Sequence, residues 1–161
     1  MYMKKREKKS TNPLPQPSMV AKSATLRNRR YTISELLQIT GMTRRQAVYW
    51  AQIGLLTPKM RNPKAAGRQP TSFYSVREVV KALIICDLLK RGISLQQVQR
   101  LARYLEKHGI RLDESEDYLI TNGPTVIFAQ NGAEAIDILK HQGQMLLVPI
   151  HEKVEKLRNI A

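Results

Sequence analysis

The chain has 161 residues, of which 42% are hydrophobic, and a formal net charge of +14 at pH 7. This length and hydrophobic fraction exclude a globally disordered chain and allow one domain of ordinary size, or one domain with a small appendage. The sequence has no stretch of 18 apolar residues and a single cysteine, Cys86, so we expect no membrane span, no intrachain disulfide and no cysteine-based metal site.

Positive charge is spread unevenly along the chain. Residues 1–30 contain nine Lys and Arg against one acid, residues 31–112 contain fourteen against four, and residues 113–161 contain four against eight. A basic body with a mildly acidic end indicates a polyanionic partner, for which nucleic acid is the leading interpretation. Attraction to an anionic membrane, and a charge that only favours solubility, are the alternatives.

Residues 1–30 are predicted to form a disordered basic arm. Five cations lie between Lys4 and Lys9, and the prolines between Pro13 and Pro17 interrupt any helix that follows. Such arms often bind phosphates, although a merely solvated tail has the same composition. No apolar stretch follows the basic start, so we expect no secretory signal and a cytoplasmic, nucleoid-associated location.

Four helices are predicted between residues 33 and 108, each from the same signals. A Ser or Thr is followed three residues later by Glu or Gln, which is the spacing of a capping box, and apolar residues flank each cap. Each segment then ends at a glycine, which tolerates the left-handed conformation that terminates helices. The caps are Thr32, Thr43, Ser75 and Ser94, their partners are Glu35, Gln46, Glu78 and Gln97, and the predicted helices span 33–40, 44–53, 76–91 and 95–108.

The segment between Thr57 and Tyr74 is not predicted to be helical. Three prolines and a glycine interrupt it, which leaves an exposed loop or a short β-hairpin. The predicted core draws on the helices around this segment and on the turn before it. Its members are Trp50, Leu55, Leu56, Val79, Leu83, Leu88 and Leu101.

A small module is predicted after an acidic link at residues 113–117. Residues 118–120 and 125–128 are predicted strands joined by an Asn-Gly turn, and residues 131–143 are a predicted short helix. A third strand over 145–150 and a short helix in the tail complete it. This ββαβ module of residues 113–161 is too small for a robust core of its own, so we expect it to pack on the helices or on a second copy.

The first two predicted helices are joined by about three residues around Gly41-Met42-Thr43, which is the geometry of a helix-turn-helix. The second helix then presents its amino end to the major groove. Its first turn carries Arg44 and Arg45 and no acid, which opposes the helix dipole and therefore points to a function. Arginine suits a guanine edge or a phosphate, whereas Gln46 can read adenine or only close its capping box.

No Asp or Glu occurs between Leu36 and Arg77, a stretch that holds seven cations. A solvated surface usually mixes charges of both signs, so this composition indicates phosphate contact, with chance clustering as the alternative. Tyr49 lies on the same helix face as Arg45, within reach of a phosphate. The predicted DNA-binding residues are Thr43, Arg44, Arg45, Gln46, Tyr49, Lys59, Arg61, Lys64 and Arg68.

A series of motifs carries a family resemblance: YTISEL at 31–36, TGMT at 40–43, VYW at 48–50, IGLLTP at 53–58, FYSV at 73–76 and LKRGISL at 89–95. Residues 31–106 resemble the DNA-binding domain of MerR-type regulators. The resemblance implies a winged helix-turn-helix, with 33–53 as the reading unit and 57–74 as the wing. It also implies DNA-contacting roles for Arg45, Tyr49, Arg61 and Arg68. Val48, Ala51 and Ser72 depart from the pattern, where the family commonly has an arginine, an acid and an arginine.

Nothing in the sequence indicates a catalytic or metal centre. His108, His141 and His151 lack ligand spacing, and no Ser/His/Asp arrangement, phosphate loop or carboxylate pair is present. Cys86 lies in an apolar helix and is predicted to be an inert buried thiol. We therefore expect neither an enzyme nor a cofactor.

The predicted fold class is mainly α with small β, a winged helix-turn-helix over residues 31–110 followed by the ββαβ module. The predicted function is a DNA-binding transcriptional regulator that acts on duplex DNA as a homodimer. Similar regulators often dimerise through a long helix, which Gly109 and the acidic link cut short here, so residues 113–161 are the predicted site of dimerisation, partner binding or ligand sensing. An antitoxin or adaptor with a protein partner on that module, and an excisionase-like architectural protein, are the alternatives.

Overall fold

The computed structural model describes residues 28–61, 71–110, 118–122, 125–129, 132–135 and 144–160. These residues form a mainly helical body with two small antiparallel sheets, as the coarse fold class predicted. None of the helices described is long and apolar enough to cross a membrane. The elements in chain order are β1 (Arg30–Tyr31), α1 (Ile33–Thr40), α2 (Arg44–Gln52), β2 (Lys59–Arg61), β3 (Thr71–Ser75), α3 (Val76–Lys90), α4 (Leu95–Lys107), β4 (Tyr118–Thr121), β5 (Val126–Ala129), β6 (Leu146–Pro149) and α5 (Ile150–Ile160).

Three of the four predicted capping boxes are confirmed. The N-caps of α1, α2 and α4 each accept a hydrogen bond from the third backbone N–H of the helix, and the Glu or Gln side chain at that position returns to the cap. The predicted ends hold to within one residue, because the glycines that follow adopt positive φ. Gly41, at φ 73°, donates its N–H to the Leu37 carbonyl and closes α1 in this way.

Only one half of the fourth predicted capping box, at the start of α3, is confirmed. Ser75 Oγ accepts the Glu78 N–H at 3.4 Å, as predicted. The Glu78 carboxylate instead accepts the Thr57 N–H at 2.7 Å and pairs with Lys81 Nζ at 2.9 Å. Glu78 is buried, and in that setting a buried ammonium and a long-range N–H stabilise the carboxylate more than a local bond does.

The first sheet joins the amino-terminal end of the described chain to a β-hairpin. Its strand order is β1-β3-β2, and every pair is antiparallel. The segment after Thr57 was predicted to be an exposed loop or a short β-hairpin, and the antiparallel pairing of β2 with β3 is that of a hairpin. Tyr31 and Tyr74 lie opposite each other and are both buried in the main core. Arg30, at the end of the predicted arm, therefore belongs to a strand, while the arm itself at 1–27 lies outside the described residues.

The second sheet packs on the helices, which was one of the two predicted alternatives. Its order is β5-β4-β6, with Leu119 opposite Val148. Both side chains belong to the same core cluster as the amino-terminal helices, together with Val154 and Leu157 of α5. The opposite face of the sheet contributes to a smaller cluster with Ile120 at its centre.

Parts of the predicted carboxy-terminal module lie outside the described residues. Of the helix predicted over 131–143, residues 132–135 are helical and 136–143 are not described, and the acidic link at 113–117 is not described either. The ββαβ arrangement therefore stays a prediction. All seven predicted core residues are buried, which confirms the hydrophobic pattern on which the prediction rested. They are Trp50, Leu55, Leu56, Val79, Leu83, Leu88 and Leu101.

Candidate nucleic-acid interface

The turn between α1 and α2 is held by a side chain that the sequence pattern did not single out. Thr40 Oγ1 donates to the Leu36 carbonyl at 2.7 Å and accepts the Met42 N–H at 3.3 Å. Thr40 and Met42 are both buried, so the turn is fixed from its inner side. This fixed turn sets the direction in which α2 leaves α1.

Helix α2 is anchored along one side only. Ala47 and Trp50 are buried in the main core, and the small Ala47 side chain lets the helix lie close to its neighbours. The rest of the helix is solvent-exposed, except for the half-buried Ala51. Helix α2 is therefore seated by its inner side and offers its outer side to a partner.

The outer face of α2 brings the predicted reading residues together. Arg44, Arg45, Gln46 and Tyr49 line one open surface depression, and Tyr49 is 47% exposed. The depression has two further members, Val48 and Gln52, that were not among the predicted site residues. Their signal was present in the sequence, because positions three and seven residues after Arg45 fall on the same helix face.

The amino end of α2 is positively charged and has no acid of its own. The first turn contains Arg44 and Arg45 and no Asp or Glu. In the part of the chain that the structure describes, no carboxylate forms an ion pair with either arginine. Both guanidinium groups add to the positive end of the helix dipole, which makes this surface attractive to anions.

Gln46 closes the capping box in the structure. The side-chain Oε1 of Gln46 accepts the Thr43 N–H at 2.9 Å and the Thr43 hydroxyl at 3.2 Å. The backbone N–H of Gln46 donates to Thr43 Oγ1 at 3.2 Å. Bidentate recognition of adenine needs the same amide oxygen. Reading a base with Gln46 therefore requires the box to open.

The predicted hairpin residues are described only in part. Lys59 is exposed on β2, and the backbone of Arg61 pairs with Thr71 of β3. Lys64, Arg68 and the Arg61 side chain lie outside the described part, so their predicted roles stay predictions. No group of three or more metal-binding side chains occurs among the residues described.

Cys86 lies on α3, away from this face. The thiol is half-buried, and burial raises its pKa above the usual value of 9.0 despite the opposing charge of Lys90. A raised pKa keeps the thiol protonated at neutral pH, and the protonated form is a poor nucleophile. This agrees with the predicted inertness of the thiol, whereas its predicted full burial is wrong, because Cys86 is only half-buried.

Comparisons with known proteins match the helix-turn-helix and the elements that follow it. Residues 31–105 match the family of MerR HTH regulatory proteins. Three relatives, one from Mycobacterium bovis and two from strains of Mycobacterium tuberculosis, are described as uncharacterized HTH-type transcriptional regulators. Each is 32% identical over 103 residues, which covers 64% of this chain and 44% of the relative. The chain thus matches less than half the length of these relatives, and the names describe regulators of transcription rather than enzymes.

Proposed function

Residues 31–105 of this chain belong to the MerR family of helix-turn-helix regulatory proteins, and we propose that the chain is a sequence-specific regulator of transcription that reads the major groove with α2. The observation that carries this proposal is the outer face of α2, where two arginines occupy an exposed first turn without an acid. Each cation at a helix amino end costs about 0.3–1 kcal/mol in the free protein. Contact with a polyanion offsets that cost, so the two arginines are favourable in the bound state.

The proposed roles follow from position and chemistry. Arg44 and Arg45 contact guanine edges or phosphates, and Tyr49 contacts a phosphate from the same face. Thr43 and Gln46 form the capping box that keeps the first turn of α2 helical. The β2–β3 hairpin serves as the wing and contacts the backbone or minor groove through Lys59, Arg61, Lys64 and Arg68.

One reading helix covers few base pairs, so we infer that the chain binds a palindrome-like operator as a homodimer. The C-terminal residues 113–161 are the proposed site of dimerisation, and a protein partner on the same residues is the alternative. Titration of the chain against a full operator and a half operator measures the stoichiometry in the experiment below.

Arg45→Ala tests the proposal. Binding to a randomised duplex library, followed by titration of the selected sequence, should show a loss of about 1–3 kcal/mol and a relaxed base preference at one position. Arg103→Ala is the matched control, because Arg103 is an exposed arginine of α4 that lies on a different helix. A wild-type chain that shows no binding to any duplex at low ionic strength would contradict the proposal, and an unchanged preference in Arg45→Ala would remove that residue from the reading set.

A further inference from the structure

The β1-β3-β2 sheet has one buried face and one outer face. Tyr31 and Tyr74 point into the core. Strand residues two positions apart share a face, and residues directly opposite each other across a ladder do so as well. Lys59 lies opposite Phe73, and Arg30 lies opposite Ser75, so these four side chains share the outer face.

An arginine and an aromatic ring are in contact on this outer face. The Arg30 Cζ lies 4.7 Å from the centroid of the Phe73 ring, which is within the range of a cation–π contact. Arg30 is exposed and Phe73 is half-buried. Stacking of this kind holds a guanidinium against the face of an aromatic ring. The N–H donors at the edge of the guanidinium remain free to bind phosphate.

The charge of Arg30 is not matched by a neighbouring acid within the described ranges. Its neighbour Arg29 also lies over an aromatic ring, that of Tyr31, but its guanidinium is 3.8 Å from the Glu35 carboxylate. No such pair is found for Arg30 among the described carboxylates. Of the two stacked arginines, Arg30 therefore has the charge available for an external anion.

The surroundings of this face carry the same sign of charge. Lys59 is exposed on β2, directly opposite Phe73 of β3. In the sequence, residues 1–27 before β1 contain seven Lys and Arg against one acid. A polyanion with regularly spaced charges is the partner that this arrangement complements.

We propose that Arg30, Phe73 and Lys59 form a phosphate-binding platform on the outer face of the sheet, and that it binds the backbone of the duplex DNA that α2 reads. Arg30 and Lys59 contact phosphates, and Phe73 acts as a positioning residue that holds Arg30. The platform adds affinity without base preference, since phosphates are the same at every position. This inference rests on the proposed function.

Titration of Arg30→Ala, Phe73→Leu and the double variant against one operator duplex at several salt concentrations tests the platform. Arg30→Ala should weaken binding about three- to tenfold at low salt and reduce the log–log salt slope by about 0.9, which is the value for one lost phosphate contact. Its base preference should stay that of the wild type. Phe73→Leu should weaken binding by about twofold through Arg30, so it should have no further effect in the Arg30→Ala background.

Arg30→Lys and Arg103→Ala are the controls. The lysine keeps the charge and should keep the salt slope, while Arg103→Ala removes an equal charge from α4 and should leave both affinity and slope close to the wild type. Far-UV circular dichroism checks that each variant folds. An Arg30→Ala titration identical to that of the wild type, or equal losses in Arg30→Ala and Arg103→Ala, would overturn the platform while leaving the reading helix intact. Wild-type failure to bind duplex DNA would instead overturn the proposed function.

Discussion

Glu78 is the residue at which the hairpin is tied to the helices. Its carboxylate accepts the N–H of Thr57, two residues before β2, and pairs with Lys81 on the next turn of α3. Lys81 is only 6% exposed and has a second, longer contact of 3.5 Å with the more exposed Glu106 of α4. One buried carboxylate thus connects the strand that carries Lys59 with two helices.

Glu78→Gln should lower the free energy of unfolding by about 2–4 kcal/mol. The amide can still accept the Thr57 N–H, but it leaves the buried Lys81 charge with Glu106 alone, and removing one partner of a buried pair is strongly destabilising. Urea denaturation followed by Trp50 fluorescence measures the loss. Glu106→Gln is the matched control and should cost no more than about 1 kcal/mol, because its carboxylate is exposed. Equal losses of unfolding free energy in the two variants would show that the buried carboxylate of Glu78 stabilises the fold no more than the exposed carboxylate of Glu106 does.

Individual residues differ in how far the sequence predicted their role. The exposure of Arg44 and Arg45 was predictable, since the cap and the helix face are defined within a few residues. The partner of Glu78 was not, because Thr57 lies 21 residues away and the local spacing to Ser75 offered a simpler partner. Arg30 was assigned to the arm for the same reason: its neighbours Ser75 and Phe73 are brought to it only by the fold.

At the scale of elements, the three complete capping boxes differ in chemistry. Helices α2 and α4 use Gln46 and Gln97, whereas α1 uses Glu35. Of these three capping boxes, only that of α1 therefore contains a titratable side chain. The pKa of Glu35 is lowered below its usual 4.5, first by the hydrogen bond from the Thr32 backbone and further by the Thr32 hydroxyl and Arg29, against the opposing effect of burial. A pKa lowered by folding stabilises the folded state above the unfolded pKa. That stabilisation is lost as the pH falls through the folded pKa.

Glu35→Gln should therefore flatten the acid side of the stability profile. At pH 7 the variant should lie within about 1 kcal/mol of the wild type, because glutamine can still close the box and the site is exposed. Between pH 5 and about 3, where carboxylates titrate, it should lose less stability than the wild type does. Urea denaturation at each pH measures this. The matched variant is Gln97→Glu, which should steepen the same part of the profile, and a Glu35→Gln profile parallel to that of the wild type would contradict the argument.

The helices and strands were predicted with unequal success for a physical reason. The bounds of the four capped helices held to within a residue, because a cap such as Thr43 and a stop such as Gly54 act on their immediate neighbours. The two-residue strand β1 was missed, because it exists only through pairing with β3. The helical face of the site could thus be predicted from periodicity, whereas the outer face of the sheet could not.

For the molecule as a whole, the described residues after 118 are part of the support for the helix-turn-helix. Lys156 Nζ on α5 donates to the Ile39 carbonyl at 3.2 Å, in the last turn of α1 before the helix-turn-helix turn. Asp87 of α3 pairs with Lys153 of α5 at 3.1 Å and with Arg91 at 3.2 Å. Arg91 also donates to the Leu147 carbonyl of β6 at 3.0 Å. These contacts join α5 to α1 and α3, and they join β6 to the residue that follows α3.

This shared support has a thermodynamic consequence, because Leu157 of α5 is fully buried in the same cluster as Trp50 of α2. Two parts that share one core should unfold in one cooperative transition. Leu157→Ala should then lower the free energy of unfolding by about 2–5 kcal/mol and shift the fluorescence transition of Trp50, the only tryptophan, together with the helical signal in circular dichroism. Ile160→Ala, at a 48% exposed position of the same helix, should shift neither signal. A Leu157→Ala variant in which the Trp50 transition stays in place would mean that the two parts unfold separately.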